Sequence, residues 1–407
     1  MDDRKKTIGF LGAVFFLFLA SNSFWMYANN YFREIGFEST QLGLITAVGN
    51  CISMLGLPFL GLLSDKLRSP RRVFAALMIM MIPVHLLFPI LGGTWGTAAY
   101  VPILVLCVLG SLGRQGGNSL LDSWIGGEME RLGASFGTIR RYGSASFVIG
   151  SVIASLLIGP VLPTWVCFLF VSALSVPILL LAITHKDNVR EAAAVEEPPT
   201  KTGMVLKYVF SNYYFVTYLL MVMAFDAFLG ILNLDMSYLM DFVGADRANV
   251  GYVGAVRAST EVVLMIIIGK QKKLPPYWIL LVISGVFVAA EMLLYPLATN
   301  VFHIMLFTLC SGIAGGLFYG LGANYVFKIV DHHACGTAMA VLGVTKSLVG
   351  IIGSGIGGVI IANHGVLTLT TGVGIISMSL TVLFFITCIL GRFVWKIPYV
   401  SEKQMAK

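Results

Sequence analysis

Charged side chains are scarce in this sequence. Asp, Glu, Lys and Arg together make up 12% of its 407 residues, whereas about a quarter of an average soluble domain is charged. Hydrophobic residues account for 57% of the chain. So little water-facing material does not suit a soluble protein of this length. The net charge of +7 therefore does not indicate nucleic-acid binding, and we expect no nucleic-acid partner.

The sequence also lacks the patterns of disulfide, metal and catalytic chemistry. No pair of cysteines has CxxC spacing, which predicts small packing residues rather than a disulfide framework or a metal site. There is no P-loop and no nucleophile elbow. We therefore expect no metal, no cofactor and no enzymatic activity. The cysteines are Cys51, Cys107, Cys167, Cys310, Cys335 and Cys388.

Long apolar stretches recur from one end of the chain to the other. Each is near the length of about 20 residues that crosses a bilayer as a helix. The stretches are continuous rather than alternating, which favours helices over a membrane barrel. They predict an all-α membrane protein with twelve transmembrane helices. The stretches centre on residues 8–30, 40–63, 73–92, 99–122, 141–161, 164–184, 209–240, 250–269, 277–297, 301–327, 337–361 and 366–391.

Basic residues fall almost entirely in alternate connecting segments. If the N-terminus is cytoplasmic, only Arg33 and Arg247 lie in segments on the outer side, and the other loop Lys and Arg residues lie inside. Such an asymmetry sets the orientation of membrane proteins. It predicts a multi-pass protein of the cytoplasmic membrane, with both termini in the cytoplasm.

The longest polar segment inside the chain divides it into two parts of similar size. Residues 185–207 mix both charge signs and contain Pro198 and Pro199, as in a linker. We therefore predict a six-helix bundle over 1–184, a cytoplasmic linker over 185–207, a second bundle over 208–391 and a tail over 392–407. Duplicated bundles of this kind place a solute site at the membrane midplane between them.

The loop after the second apolar stretch carries a recognisable motif. It reads Gly61-Leu-Leu-Ser-Asp65-Lys66-Leu-Arg68-Ser-Pro-Arg71-Arg72 and resembles the G-x-L-x-D-(R/K)-x-G-(R/K) signature of the major facilitator superfamily. Arg68 departs from the signature, which has Gly there. The resemblance implies two pseudo-symmetric six-helix bundles and a gating role for Gly61, Asp65, Lys66, Arg71 and Arg72. We expect close helix packing at Gly61 and a helix N-terminus near Asp65.

A second motif resembles a segment found in the lactose-permease-like branch of this superfamily, the oligosaccharide:proton symporters. The segment Phe136-Gly-Thr-Ile-Arg140-Arg-Tyr-Gly143-Ser resembles the branch's F-G-x-x-R-x-x-G segment. The resemblance implies that Arg140 contacts a sugar, that Asp122 pairs with Arg140 and that Phe147 stacks on the sugar ring. It also implies a charge pair between Asp226 and Lys346.

The resemblance fails at the family's proton-coupling residues. Its Arg, His and Glu in helices 9 and 10 correspond to Glu291, Cys310 and Ile313. The family's sugar-binding Glu of helix 8 falls on Ala258, with Glu261 one turn further along. The coupling machinery of this chain must therefore use other groups.

Ionisable residues inside the apolar stretches are the best functional candidates, because each costs about 2.5–3.5 kcal/mol to insert into a bilayer. Asp122 and Arg140 could bind the hydroxyls of a sugar or form a structural salt bridge. Asp226 and Lys346 could be a structural pair, and Asp226 could instead take part in proton coupling.

Three further charges complete the candidate site. Glu261, spaced i, i+4 from Arg257, is a candidate for both solute and proton binding. Glu291 is the second candidate proton carrier, because burial disfavours the charged form of a carboxyl. Arg114 could bind the solute as a second anchor, or it could pair with Asp65 or another carboxylate. Because it is a second candidate arginine in the first half besides Arg140, an anionic solute is also compatible with the sequence.

Together these features predict a monomeric secondary active transporter in the lipid bilayer. Its expected activity is the import of a sugar or oligosaccharide with protons, by alternating access. A symporter of nucleosides or aromatic acids and a proton-driven drug exporter are the alternatives within transport. A membrane sensor that does not transport is the alternative from another class.

Overall fold

The computed structural model describes residues 2–132, 137–185, 202–271, 273–331 and 334–399. Within these ranges the chain is helical, and the one β-type pairing is an isolated bridge between Ile158 and Leu162. Most of the predicted linker, 185–207, lies outside the described residues. So does the end of the predicted tail, 392–407.

Fifteen α-helices follow one another along the described chain. They are α1 (Asp2–Trp25), α2 (Ala28–Glu34), α3 (Ser39–Lys66), α4 (Pro70–Trp95), α5 (Tyr100–Ser111), α6 (Gly117–Arg131), α7 (Gly137–Leu157), α8 (Val166–Thr184), α9 (Thr202–Ser211), α10 (Tyr213–Phe242), α11 (Val250–Lys270), α12 (Tyr277–Leu294), α13 (Val301–Ile329), α14 (Cys335–His364) and α15 (Val366–Ile389).

Among the described residues, 9 helical stretches are long and apolar enough to cross a membrane, or up to 10 if the bent pair of α9 and α10 is one span. One of the nine runs over 60 residues, Pro70–Met129. It makes two crossings, because α4 packs back against α5 and α6. Helix α7, with 21 residues, is about 31 Å long and can also cross. This count agrees with the twelve crossings that the sequence predicts.

Several helix boundaries differ from the sequence prediction, each for a local reason. The first apolar stretch breaks after Trp25 and continues as α2. Helices α5 and α6 are joined by a π-helical turn, Leu112–Gly116. Helix α10 begins afresh because the Asn212 side chain accepts a hydrogen bond from the Phe215 backbone amide at 3.0 Å, and the segment before it is bent by 77°. Helix α7 stops early because Gly159 has a φ of +100° and Pro160 lacks a backbone donor.

The two halves meet through equivalent helices. Helix α3 packs against α14, and α7 packs against α11. Helix α3 is the second membrane crossing of the first half and packs against the fifth of the second half. Helix α7 is the fifth crossing of the first half and packs against the second of the second half. The interface is therefore pseudo-symmetric, as expected for duplicated bundles.

The first interface, between α3 and α14, is tight at one end and open at the other. A methyl group added at Gly43 would lie 2.5 Å from the Ser354 carbonyl oxygen. Further along, the equivalent atom at Gly350 would lie 3.5 Å from the Asn50 amide nitrogen. At Gly61 it would meet no atom of the described residues within 4 Å. The two helices therefore diverge from Gly43 towards Gly61.

The second interface, between α7 and α11, diverges in the same direction. A methyl group at Gly251 would lie 2.3 Å from the Ser155 hydroxyl, and one at Gly269 would meet no part of the described chain within 4 Å. We call the end that holds Gly43 and Gly251 the closed end. The opposite end, which holds the basic loop of residues 66–72, is the basic end.

The motif at the basic end differs from two expectations. Gly61 is not closely packed, because α3 and α14 have separated there. Asp65 lies exposed in the last turn of α3 rather than at a helix N-terminus. Ser69 caps α4 instead, accepting a hydrogen bond from the Arg72 backbone amide at 3.3 Å. Arg71 ties the loop to α8 by donating to the Ala182 carbonyl oxygen.

Candidate functional site

A central cavity of about 590 Å³ lies between the two halves. Helices α1, α2, α3, α5 and α7 of the first half line it, with the π-helical turn Leu112–Gly116, together with α10, α11 and α13 of the second half. Its volume falls within the range that holds one small organic molecule. The cavity is therefore the candidate solute-binding site.

Three kinds of side chain on the cavity wall can recognise a solute. Aromatic rings offer stacking surfaces, amides offer hydrogen bonds in both directions, and ionisable groups offer charge. The aromatic residues are Trp25, Phe32, Phe147 and Tyr319. The amides are Asn22, Asn29, Asn50 and Gln115, and the ionisable residues are Arg114, Arg257 and Glu261.

The predicted binding residues divide into two groups. Arg114, Phe147 and Glu261 line the cavity. Asp122 is half-buried on α6, about two turns closer to the basic end than Arg114, and is not part of the cavity wall. The side chain of Arg140 lies outside the described part of the chain, although its backbone belongs to α7.

Arg114 stands over an aromatic ring. Its guanidinium carbon lies 3.5 Å from the centroid of the Trp25 ring, and Nη2 lies 3.5 Å from the Ser111 hydroxyl. The Trp25 ring packs edge-on against His85 and Phe88, which fixes the stacking surface. Arg114 belongs to the π-helical turn between α5 and α6, and such turns occur frequently at functional sites.

Glu291 is fully buried within a small hydrogen-bond network. Its carboxylate accepts hydrogen bonds from the Tyr295 hydroxyl and from the Ser311 backbone amide, each at 2.5 Å. The Tyr295 hydroxyl also lies 3.1 Å from the Thr308 hydroxyl, and Thr308 lines the cavity. A chain of polar groups therefore connects the buried carboxyl with the cavity.

Asp226 and Lys346 do not form a salt bridge in this conformation, since no such contact within 4.0 Å joins these two described residues. Lys346 lies instead over aromatic rings, with Nζ 5.2 Å from the Phe318 ring and 5.5 Å from the Tyr319 ring. Asp226 is buried on α10. Neither Asp226 nor Lys346 lines the cavity.

A polar cluster seals the closed end of the cavity. The Asp241 carboxylate accepts hydrogen bonds from Arg33 and from Arg247, the latter at 2.7 and 3.0 Å. Nearby, the Tyr27 hydroxyl donates to the Ala248 carbonyl oxygen at 2.7 Å. Arg33 and Tyr27 belong to the first half and the other residues to the second, so these bonds join the halves.

Sequence reasoning missed two features of this site. It did not include Trp25 among the site residues, whereas the ring lines the cavity beneath Arg114. It considered Arg257 only as a neighbour of Glu261, yet Arg257 also lines the cavity. The sequence feature that could have indicated both residues is their position in apolar stretches that also contain other polar groups.

Comparison with known proteins identifies the family. Residues 9–370 match the MFS_1 like family. The sucrose permease of Escherichia coli is 26% identical over 206 residues, and the alignment covers 47% of each chain. This chain thus spans about half the length of that curated relative.

Solved structures of a nucleoside transporter share the fold. The D323A mutant of NupG has a TM-score of 0.79 at 16% identity, covering 93% of this chain and 99% of that one. NupG itself has a TM-score of 0.75 at 18% identity, covering 94% and 98%. At such identities the likeness concerns the fold alone. With the family match over residues 9–370, the chain belongs to the MFS_1 like family and has the multi-pass membrane fold of the major facilitator type.

Proposed function

We propose that this protein is a secondary active transporter that imports a sugar or a similar polyhydroxylated solute with protons, as a monomer, by alternating access. The observation that carries the proposal is the central cavity between two halves that meet at one end and diverge at the other. A cavity with one closed end is what a carrier needs to expose a solute to one side at a time.

The orientation follows from the charge distribution. The basic end holds Lys66, Arg68, Arg71 and Arg72, and positively charged loops face the cytoplasm. The central cavity would then open towards the cytoplasm, and both termini would lie in the cytoplasm. Release of an imported solute would occur through the basic end.

Solute recognition uses the polar and aromatic wall of the cavity. Phe147 provides a face on which a sugar ring can stack, and Asn22, Asn50 and Gln115 can bind hydroxyl groups. The Gln115 amide already donates to the Asn50 side-chain oxygen at 3.0 Å, so the two helices that carry them are joined there. In this proposal Asp122 and Arg140 bind solute on its way through the basic end.

Proton coupling uses the two carboxyl groups that the sequence singles out. Glu261 lines the cavity directly, whereas Glu291 connects with it through Tyr295 and Thr308. Protonation of Glu291 would remove a charge from the second half and change the hydrogen bonds that join α12 to α13. The position of this network beside α13, which lines the cavity, supports a link between proton binding and solute binding. Asp226 is a third candidate.

Nucleosides are the second candidate solutes, and the aromatic rings of Trp25, Phe147 and Tyr319 favour them. A purified sample in sealed proteoliposomes separates the two classes. We expect a labelled mono- or disaccharide to accumulate inside the proteoliposomes when the proton concentration is higher outside. A proton ionophore should abolish this accumulation. Accumulation of nucleosides but not sugars would replace the proposed solute, and movement only in the opposite direction would contradict import.

A further inference from the structure

The described wall of the central cavity carries more positive than negative charge. Two guanidinium groups, those of Arg114 and Arg257, lie on it with one carboxylate, that of Glu261. An ionisable group at membrane depth normally has a partner, because leaving its charge uncompensated is costly. Glu291, which lies outside the wall, interacts electrostatically with Arg257, so the wall's excess of one positive charge favours a negative solute chiefly at Arg114.

Arg114 has hydrogen-bonding capacity that the described residues leave unused. Its Nη1 atom is buried and has no hydrogen-bond partner among them. No carboxylate oxygen of the described chain lies within 4.0 Å of its guanidinium group. The Trp25 ring covers one face of the group at 3.5 Å, so hydrogen bonds to the group can form only at its edge, where the N–H donors lie.

Arg257 supplies a second positive charge from the other half of the protein. It lies on α11, 6.0 Å from the Phe228 ring, and no salt bridge within 4.0 Å joins it to a described carboxylate. Because Arg114 and Arg257 belong to different halves, a negative group bound in the cavity would attract both halves at once.

We propose that the transported solute is an acidic sugar with one carboxylate, of the hexuronate type, and that Arg114 and Arg257 bind this carboxylate. The inference rests on the proposed function and narrows its solute class. One carboxylate balances the excess charge, and its two oxygens match the fork of a guanidinium group. The sugar hydroxyls remain for the amides, and the ring face remains for Phe147.

Matched solute pairs test this assignment in the full-length purified protein. Glucuronate against glucose and galacturonate against galactose differ in charge while keeping the ring, and calorimetric titration measures their binding. We expect each acid to bind at least tenfold more tightly than its neutral partner. In Arg114→Gln this preference should fall at least tenfold, while Arg114→Lys should retain part of it.

Arg131→Gln is the matched control. Arg131 lies at the end of α6 with its side chain 49% exposed and bonded to Glu128, so its loss removes a positive charge without touching the cavity. The preference for acids should survive in this variant. A melting temperature near that of the parent protein checks that each variant is folded.

The outcomes separate this inference from the proposed function. If neutral sugars bind as well as their acids, and Arg114→Gln changes neither, the acidic-solute inference is overturned and sugar import stands. Tighter binding of glucose 6-phosphate than of glucuronate would overturn the single-carboxylate assignment. If no member of either pair binds or accumulates, both the inference and the proposed sugar import are overturned.

Discussion

Gly43 on α3 and Gly358 on α14 bring the two halves into backbone contact at the closed end. A Cβ atom on Gly43 would lie 3.0 Å from the Cα of Gly358 and 2.5 Å from the Ser354 carbonyl oxygen. Only a residue without a side chain allows this approach. The closed end therefore depends on small residues, whereas an added Cβ at Gly61 or Gly269, towards the basic end, would meet no atom of the described residues within 4 Å.

Replacing Gly43 with Leu should prevent the closed end from forming. Overpacking of this kind costs about 1–3 kcal/mol, so transport should fall roughly tenfold or more while the protein still inserts in the membrane. Gly372→Leu is the matched control, because a Cβ atom at Gly372 on α15 would meet no atom of the described residues within 4 Å. Initial uptake rates, normalised to membrane-inserted protein, give the comparison. Equal rates for the two variants would contradict the role of Gly43.

Removing the carboxylate of Asp241 should weaken the closed end electrostatically. Asp241→Asn removes the negative charge that Arg33 and Arg247 share, and we expect a loss of about 1–2 kcal/mol, a factor of 5–30 in the population of the closed end. Spin labels at the exposed positions Val161 and Phe242 report that population as a distance distribution. Asp241→Glu should retain most of the parent distribution. An unchanged distance distribution in Asp241→Asn would show that this polar cluster does not stabilise the closed end.

Neutralising the coupling carboxyls should separate uptake driven by protons from solute exchange. We expect Glu261→Gln to abolish accumulation driven by a pH gradient and to leave exchange of labelled for unlabelled solute. Glu291→Gln should behave in the same way if the network through Tyr295 and Thr308 carries the proton. Tyr295→Phe, which keeps the ring but removes the connecting hydroxyl, should slow accumulation alone. Undiminished uphill uptake would remove the residue concerned from the coupling mechanism.

Asp226 and Lys346 should compensate each other even without a direct bond. A single neutralisation, Asp226→Asn, leaves the half-buried charge of Lys346 on α14 unbalanced, so it should reduce stability or transport more than neutralising both residues does. Double-mutant cycles of melting temperature and uptake measure the coupling, which we expect at about 0.5–3 kcal/mol. A double variant that is worse than either single variant would refute the compensation.

The membrane fold could be predicted from the sequence because its determinants are local in the chain. Apolar stretches of bilayer length define the helices, and loop charge predicts their orientation. The break after Trp25 and the π-helical turn around Arg114 could not be predicted, because neither leaves a distinct periodicity. Both depend on how the first half packs around the cavity.

The candidate site was only partly predictable for a related reason. Tyr295 directly follows the end of α12 and is four residues after Glu291, a spacing that places the two side chains on one helical face and that sequence alone could reveal. Their contacts with Thr308 and Ser311 join α12 to α13, and no local pattern specifies such a contact. In the same way, Arg114 and Trp25 are distant in sequence and meet only after folding.

Reversible locking of the closed end tests alternating access most directly. A Cβ atom on Gly355 would lie 3.8 Å from the Cβ of Ala47, the mean separation in a disulfide, so Ala47→Cys with Gly355→Cys should cross-link upon oxidation. We predict that oxidation stops uptake in the double variant, that reduction restores it, and that neither single-cysteine variant responds. Full uptake by the cross-linked protein would contradict a mechanism in which the closed end must open.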